Sequence, residues 1–277
     1  MHACGLNRAD LGMTKGHAHG SAGGAGTVLG MEWAGEVAEI GPQASGVRVG
    51  DKVMGSGGAA FAEYTLADHG RLFRTPSNMN FEEACTLPIA LSTMHNAVVT
   101  NGGLQPGQSV MIQGASSGVG LMAMQIAKLK GAKFVVGSST DAARRDRLKE
   151  FGADLAVDSS DPGWVDQVSG SVANQNLKAT KVKGRIVNVG RLGGTHADFN
   201  FDLHAARRIS YIGVTFRTRS IEEIREIFDE VRKDIWPAVE SRKLQLPIDK
   251  VFAFDDIGKA FERMEANQHL GKIVVTL

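Results

Sequence analysis

The sequence has few thiols, little net charge and no long apolar run. Cys4 and Cys85 are the only cysteines in 277 residues. Disulfide scaffolds need several cysteines at framework spacings, so a reduced, cytoplasmic setting is expected. Lys and Arg number 31 against 30 Asp and Glu, a formal charge of +1. Phosphate-backbone affinity needs a clustered excess of cations, so nucleic acid is not an expected partner. No segment approaches the ~18 apolar residues of a membrane-spanning helix. The opening MHACGLNRADLG has no basic start and no apolar core of a secretory signal. Low-complexity tracts and internal repeats are also absent.

What the chain does have is glycine, 34 in all, and a 43% hydrophobic share that can bury a sizeable core. Residues 1–85 carry turn signals every few positions, among them Gly30, Gly35, Gly41-Pro42, Gly50-Asp51 and Gly57-Gly58. Short apolar pieces lie between them. That punctuation predicts many short strands in a small barrel or sandwich. After about residue 90 the period changes. SVMIQ, KFVVG, DLAVD, RIVNVG and ISYIGVTF read as buried-type strands. Between and after them lie helical patterns, including Val119, Met122, Ile126 and Leu129, and later Ile224, Ile227, Phe228, Val231 and Ile235. Strands alternating with helices predict a parallel, doubly wound α/β sheet. One stretch is too short for that pattern. Between Asp158 and Gly184 the sheet needs a helix, a central strand and another helix. Residues 165–168 can supply only a very short strand, and 174–181 a helix.

GASSGVG, residues 114–120, follows the strand SVMIQ and opens an amphipathic helix. Gly114, Ala115, Ser117, Gly118, Val119 and Gly120 then form a turn whose backbone N–H groups face a pyrophosphate, aided by the helix N-terminus. The alternative is a plain tight turn. At the end of the next strand an NAD site presents an acid to the ribose hydroxyls. Here Ser138, Ser139 and Thr140 stand there, followed by Arg144 and Arg145. Hydroxyls and a guanidinium suit a 2′-phosphate, so NADPH is the expected cofactor. The competing reading is a solvated helix start capped by Thr140 or Asp141. A short-chain dehydrogenase is excluded. Its proton transfer needs Tyr with Lys four residues on, and Tyr64 and Tyr211 are followed at that spacing by Asp68 and Thr215.

GLNRADL (5–11), LGMEWAGEVAEIG (29–41), VGDKVMG (49–55), EEACTLPIALSTMHNA (82–97), QGASSGVGLMAMQIAKLKGA (113–132), FGADLAVD (151–158), GRIVNVG (184–190) and HLGKIVV (269–275) together resemble the medium-chain dehydrogenase/reductase superfamily in its zinc-independent quinone oxidoreductase, zeta-crystallin-like branch. The resemblance implies a Rossmann domain plus a β-rich, GroES-like catalytic domain, with nicotinamide and substrate in the cleft between them. The expected division is 1–90 with 248–277 for the GroES-like domain and 91–247 for the NADP-binding domain. The branch carries further strands before HACGLNRAD, so the catalytic domain is expected to be N-terminally incomplete. Part of a strand and a helix near 160–168 are likewise expected to be missing.

Zinc-dependent members place ligands where Asn7, Met31 and Ile89 stand. Asn, Met and Ile cannot build a site that needs three N, S or O ligands, so no metal is expected. The resemblance then implies metal-free hydride transfer from NADPH to a quinone or an α,β-unsaturated carbonyl. Asn7 and Asp10 lie at the cleft floor, with Asn7 a donor to the substrate oxygen or to the nicotinamide ribose; a plain turn role for Asn7 stays open. Tyrosines that line the pocket in relatives are replaced by Gly12, Ala18 and Phe61. The proton donor is therefore His17, His19 or water, or else the pocket suits a bulkier substrate. Val189, Gly190 and Arg191 are expected to meet the nicotinamide amide. Phe216, Arg217 and Thr218 end the last strand beside it, and Gly271 and Lys272 approach from the C-terminal segment. That last strand is also the expected edge of a homodimer. Two alternatives remain at this point: an enoyl-thioester reductase of the same superfamily, and a non-catalytic NADPH-binding protein.

Overall fold

The structure, a computed structural model, describes residues 1–20, 23–161, 172–190 and 195–277. Its strands are β1 (Ala3–Gly5), β2 (Glu32–Glu36), β3 (Lys52–Ser56), β4 (Leu72–Arg74), β5 (Ser109–Ile112), β6 (Phe134–Ser138), β7 (Leu155–Val157), β8 (Arg185–Asn188), β9 (Ser210–Gly213), β10 (Ile248–Ala253) and β11 (Lys272–Thr276). The helices that matter here are α1 (Arg8–Thr14), α2 (Gly118–Leu129), α3 (Ala142–Asp146), α4 (Val172–Ala179), α5 (Ile221–Asp234) and α6 (Ile257–Glu265). Two compact units result. One comprises 1–93, 117–122 and 216–277; the other comprises 94–116 and 123–215.

The first unit holds a six-stranded sheet in the order β10-β11-β1-β2-β3-β4. β11 closes against β1 antiparallel, with Cys4 opposite Val275, and β1 against β2, with Cys4 opposite Trp33. The chain's last strand thus completes the sheet begun by its first. Leu6, Leu11, Trp33, Val53, Phe61, Leu72, Phe252, Ile273 and Val275 form its apolar core, and Phe261 of α6 packs edge-on against Phe61. Both cysteines are buried free thiols, and burial raises their pKa values, which disfavours the nucleophilic thiolate.

The helical spacing 224, 227, 228, 231 is borne out by α5, which buries all four side chains and starts at a Ser220–Glu223 capping box. Phe73 of β4 stacks on Phe228 at 4.6 Å and on Trp236 at 4.9 Å between ring centres. Arg225 pairs with Asp68, and Arg232 donates to the carbonyls of Gly70 and Leu72. These contacts group residues 216–247 with the β-rich unit, whereas the division expected from sequence runs to 247 in the other domain. Its apolar stripe is taken up by Phe73, a partner that helix periodicity alone cannot name.

In the second unit β5, β6 and β7 form a parallel sheet, and β8 pairs in parallel with β9. Among the described residues no strand joins the two sheets. The short stretch between Asp158 and Gly184 supplies α4, which overlaps the expected 174–181 helix but starts two residues earlier, while the expected strand at 165–168 lies outside the described residues. β6 is buried over Val135–Ser138, but Val110, Met111 and Ile112 of β5 are only half-buried. A parallel strand normally has both faces and both edges covered. Gln113, just after β5, exchanges hydrogen bonds with Asn176 of α4.

Candidate functional site

A buried polar centre lies where β1, β2 and β11 adjoin. Asn7 caps α1, and its backbone N–H donates to Asp10 Oδ2 at 2.8 Å. Lys272 Nζ donates to Asn7 Oδ1 at 3.0 Å and forms a close ion pair with Glu32 Oε2. An ammonium has no acceptor, so the atom it meets must be the amide oxygen, and the Asn7 orientation is fixed by chemistry. Asn7 Nδ2 then donates to Gly5 O at 3.2 Å and to Glu32 Oε2 at 3.1 Å. Both amide hydrogens are thereby engaged inside the protein. Glu32 Oε1 accepts from the Ile89 N–H at 2.7 Å. The Lys272 side chain is 6% exposed and that of Glu32 0%. Sequence reading missed Glu32, whose only signal is its place beside Met31 in GMEWAG.

Asp10 is fully buried beside this pair. Burial pushes its carboxyl up to about 7, against the opposing pull of the Asn7 N–H and the Lys272 charge. Its Oδ1 has no hydrogen-bond partner among the described residues. The centre does not fit a zinc ion. Of the three ligand positions, Asn7 is committed to Lys272 and Glu32, Ile89 contributes only its backbone, and Met31 offers a single thioether. Among the described residues no group of three His, Cys, Asp or Glu side chains could hold a metal. An ammonium stands among the donors instead, as unlike a tetrahedral N/S site as a cation binder can be.

The glycine turn has the predicted strand–turn–helix setting. Gly114 takes φ +61°, and Ala115 N donates to Ser138 O at 2.8 Å. Ser117 uses its hydroxyl to accept from Gly120 N and its carbonyl to accept from Leu121 N, which leaves the N–H groups of Gly118 and Val119 outside its caps. Ser117 also bridges to Gly271 in parallel fashion. Gly271 has φ +83°, and a Cβ there would meet Pro247 O at 2.2 Å, so only glycine fits. A twelve-residue helix whose first amides have no cap partner among the described residues suits a diphosphate.

At the end of β6, Ser138 is buried and its hydroxyl accepts weakly from Gly114 N at 3.4 Å. Ser139 Oγ donates to Ser116 Oγ at 3.1 Å, and Thr140 is exposed. Asp141 caps α3 through Arg144 N, as the competing helix-start reading has it, and Arg144 Nε lies 3.5 Å from the same carboxylate. Arg145, not Arg144, reaches back to the strand end: its Nη1 donates to Ser139 O and to Asp158 Oδ2, both at 2.9 Å.

His19 is half-buried near Arg217, and burial first, then the Arg217 charge, lowers its pKa. The adjoining Gly20 backbone lies against Arg217, with a built Cβ 3.1 Å from Arg217 O. His17 is exposed, its N–H donating to Gly12 O. Phe216 is half-buried and Thr218 exposed. Val189 and Gly190 follow β8, while Arg191 lies outside the described residues. No described helix is long and apolar enough to cross a membrane.

Comparison with known proteins agrees with this architecture. An alcohol dehydrogenase GroES-like domain matches residues 1–77, and a zinc-binding dehydrogenase family matches residues 130–275. Quinone oxidoreductase-like protein 2 of Bos taurus is 26% identical over 294 residues, covering 100% of this chain and 84% of its own. A polyketide synthase of Streptomyces halstedii is 29% identical over 269 residues, covering 90% of this chain, which spans only 5% of that protein. The crystal structure of an alcohol dehydrogenase superfamily protein from Novosphingobium aromaticivorans superposes with a TM-score of 0.86 at 27% identity, covering 100% of this chain and 90% of that one. The α/β fold with its GroES-like part, and the family match over more than half of its length, place this chain in the zinc-binding dehydrogenase family of the medium-chain dehydrogenase/reductase superfamily.

Proposed function

We propose that this protein is an NADPH-dependent reductase that delivers hydride, without a metal, to a quinone or an α,β-unsaturated carbonyl. The observation that carries the reading is that Asn7, at one of the positions where the resemblance places a zinc ligand, is engaged by the Lys272–Glu32 pair instead. With neither a Lewis acid nor the Tyr–Lys proton-donor pair, quinones and conjugated carbonyls are the acceptors that take hydride most readily.

Bound NADPH would supply the hydride. The chain's residues hold and orient it. In this reading the Gly118 and Val119 amides, with the α2 N-terminus, face the diphosphate, and Ser139, Thr140, Arg144 and Arg145 take the adenosine side. Val189, Gly190 and Arg191 meet the carboxamide, with Phe216, Arg217, Thr218 and Gly271 beside it. Lys272 supports the turn with its stem while Glu32 and Asn7 engage two of its three ammonium hydrogens, which leaves one for the cofactor side. Asn7 has no amide hydrogen left for a substrate oxygen, so its part is to fix the floor of the site. Burial and the Arg217 charge shift His19 toward its neutral form, so it favours offering an N–H over acting as a charged acid. His17 and water remain the candidate proton sources. The exposed edge of β9, with Tyr211 outward, suits pairing with a second copy.

The test is NADPH oxidation with a panel of quinones and enones, run with and without a chelator. Turnover on at least one acceptor, unchanged by the chelator, is expected. Cofactor binding with no turnover on any acceptor would support the non-catalytic alternative.

A further inference from the structure

We infer that Asp158 is a specificity-determining residue that limits the preference for NADPH over NADH, by holding Arg145 in an internal ion pair at the adenosine end of the site. The inference rests on the nicotinamide-cofactor reading above and deepens it.

In a dinucleotide site the residue ending the second strand reads the ribose: a carboxylate accepts from its hydroxyls, and a guanidinium takes a 2′-phosphate. This chain has no acid at the end of β6, where Ser139 and Thr140 stand. The acid comes from the neighbouring strand. β6 and β7 are parallel with Ser138 opposite Val157, and Ser139 N donates to Val157 O at 3.1 Å. Asp158, the next residue, is therefore carried alongside Ser139. Arg145 spans the two, 2.9 Å from Ser139 O and 2.9 Å from Asp158 Oδ2. The Arg145 side chain is 21% exposed and that of Asp158 31%, so both remain open to a ligand. Asp158 Oδ1 accepts from Ser160 N at 2.9 Å, which keeps the carboxylate facing Arg145.

This arrangement has two consequences of one sign. Asp158 neutralises Arg145, one of the two guanidiniums placed at the adenosine end, and its own charge repels the 2′-phosphate dianion. A ribose bearing only a hydroxyl meets neither penalty and finds a carboxylate acceptor nearby. Removing the carboxylate charge should favour the phosphorylated cofactor, and removing the guanidinium should disfavour it. A structural role alone would weaken both cofactors equally.

The experiment measures dissociation constants of NADPH and NADH by calorimetry for the wild-type chain, Asp158→Asn and Arg145→Met, with 2′,5′-ADP and 5′-AMP as probes of the adenosine end alone. Asp158→Asn is expected to raise the NADPH-to-NADH affinity ratio at least fivefold, and Arg145→Met to lower it by a similar factor, with the 2′,5′-ADP to 5′-AMP ratio moving in parallel. A ratio within twofold of wild type in Asp158→Asn overturns the inference while leaving the cofactor reading in place. A wild-type chain that binds neither dinucleotide overturns both.

Discussion

The side chain of Lys272 runs directly against Gly118: a Cβ built on Gly118 would sit 3.0 Å from Lys272 Cδ and 3.7 Å from Gly271 O. The first residue of α2 is therefore held bare by a lysine whose far end is locked to Glu32. Two effects oppose each other in Gly118→Ala. Alanine gains up to about 1 kcal/mol of helix propensity, less at a first-turn position. Overpacking against a tethered stem costs about 1–3 kcal/mol. The contact is expected to win, moving the helix start and weakening NADPH binding by roughly tenfold, equivalent to about 1.4 kcal/mol. Calorimetric titration of the variant reads the affinity, and thermal denaturation reads the stability.

Lys272 and Glu32 test the buried pair itself. Removing one partner strands the other's charge in the interior, at a cost of about 3–5 kcal/mol, whereas replacing both with apolar groups of similar volume is often near neutral. Lys272→Met is expected to lose stability on that scale, and Lys272→Met with Glu32→Leu to regain at least half of it. The Ile89 N–H and Asn7 Nδ2, which lose their acceptor in the double variant, set the part that is not regained. Urea unfolding of the wild type, the single and the double variant measures this coupling directly.

Asp10 gives stability a particular pH dependence. Its carboxyl is raised to about 7 in the folded chain, against about 4 when unfolded. Between those values the unfolded state has released the proton and the folded state still holds it. Stability therefore falls as pH rises from about 4 to 7, by a few kcal/mol for a shift of this size. Asp10→Asn mimics the protonated acid: its oxygen can keep the Asn7 N–H bond, and its amide replaces the proton. The variant is expected to be more stable than wild type at pH 8 and to lose this slope. Unfolding midpoints across that pH range decide it; equal slopes in both proteins would refute the assignment.

The parallel strands were legible because each is a short apolar run bounded by glycine or charge, and a helix such as α5 because its buried side chains recur at 3.6 residues. The glycine turn was legible for the same local reason. The polar centre was not. Lys272 follows Gly271 on the last strand, and nothing near it in sequence says that its ammonium turns inward; only the β11-β1-β2 order brings Glu32 and Asn7 to it. Without Glu32, Asn7 reads as a free donor, and with it both amide hydrogens are consumed. Arg145 and Asp158 are thirteen residues apart and meet only through the β6–β7 register. Local pattern sets elements, and long-range pairing sets which polar atoms remain available.

Among the described residues β5 has β6 as its one partner, and its Val110, Met111 and Ile112 are half-buried although the strand leads into the glycine turn. In a parallel strand alternate amides point to opposite sides, so those directed away from β6 have no ladder partner among the described residues. β6, paired on both sides by β5 and β7, has its ladder complete. Hydrogen exchange should separate the two: outward amides of β5 are expected to exchange at least a hundredfold faster than those of β6, since local opening spans from near zero to the global unfolding free energy. On the proposed cofactor reading, added NADPH would tie down the turn at the end of β5 and slow exchange there more than in β7. Equal protection along β5 and β6 in the free protein would mean that the second edge of β5 is covered after all, and that the chain closes its sheet despite the short connection.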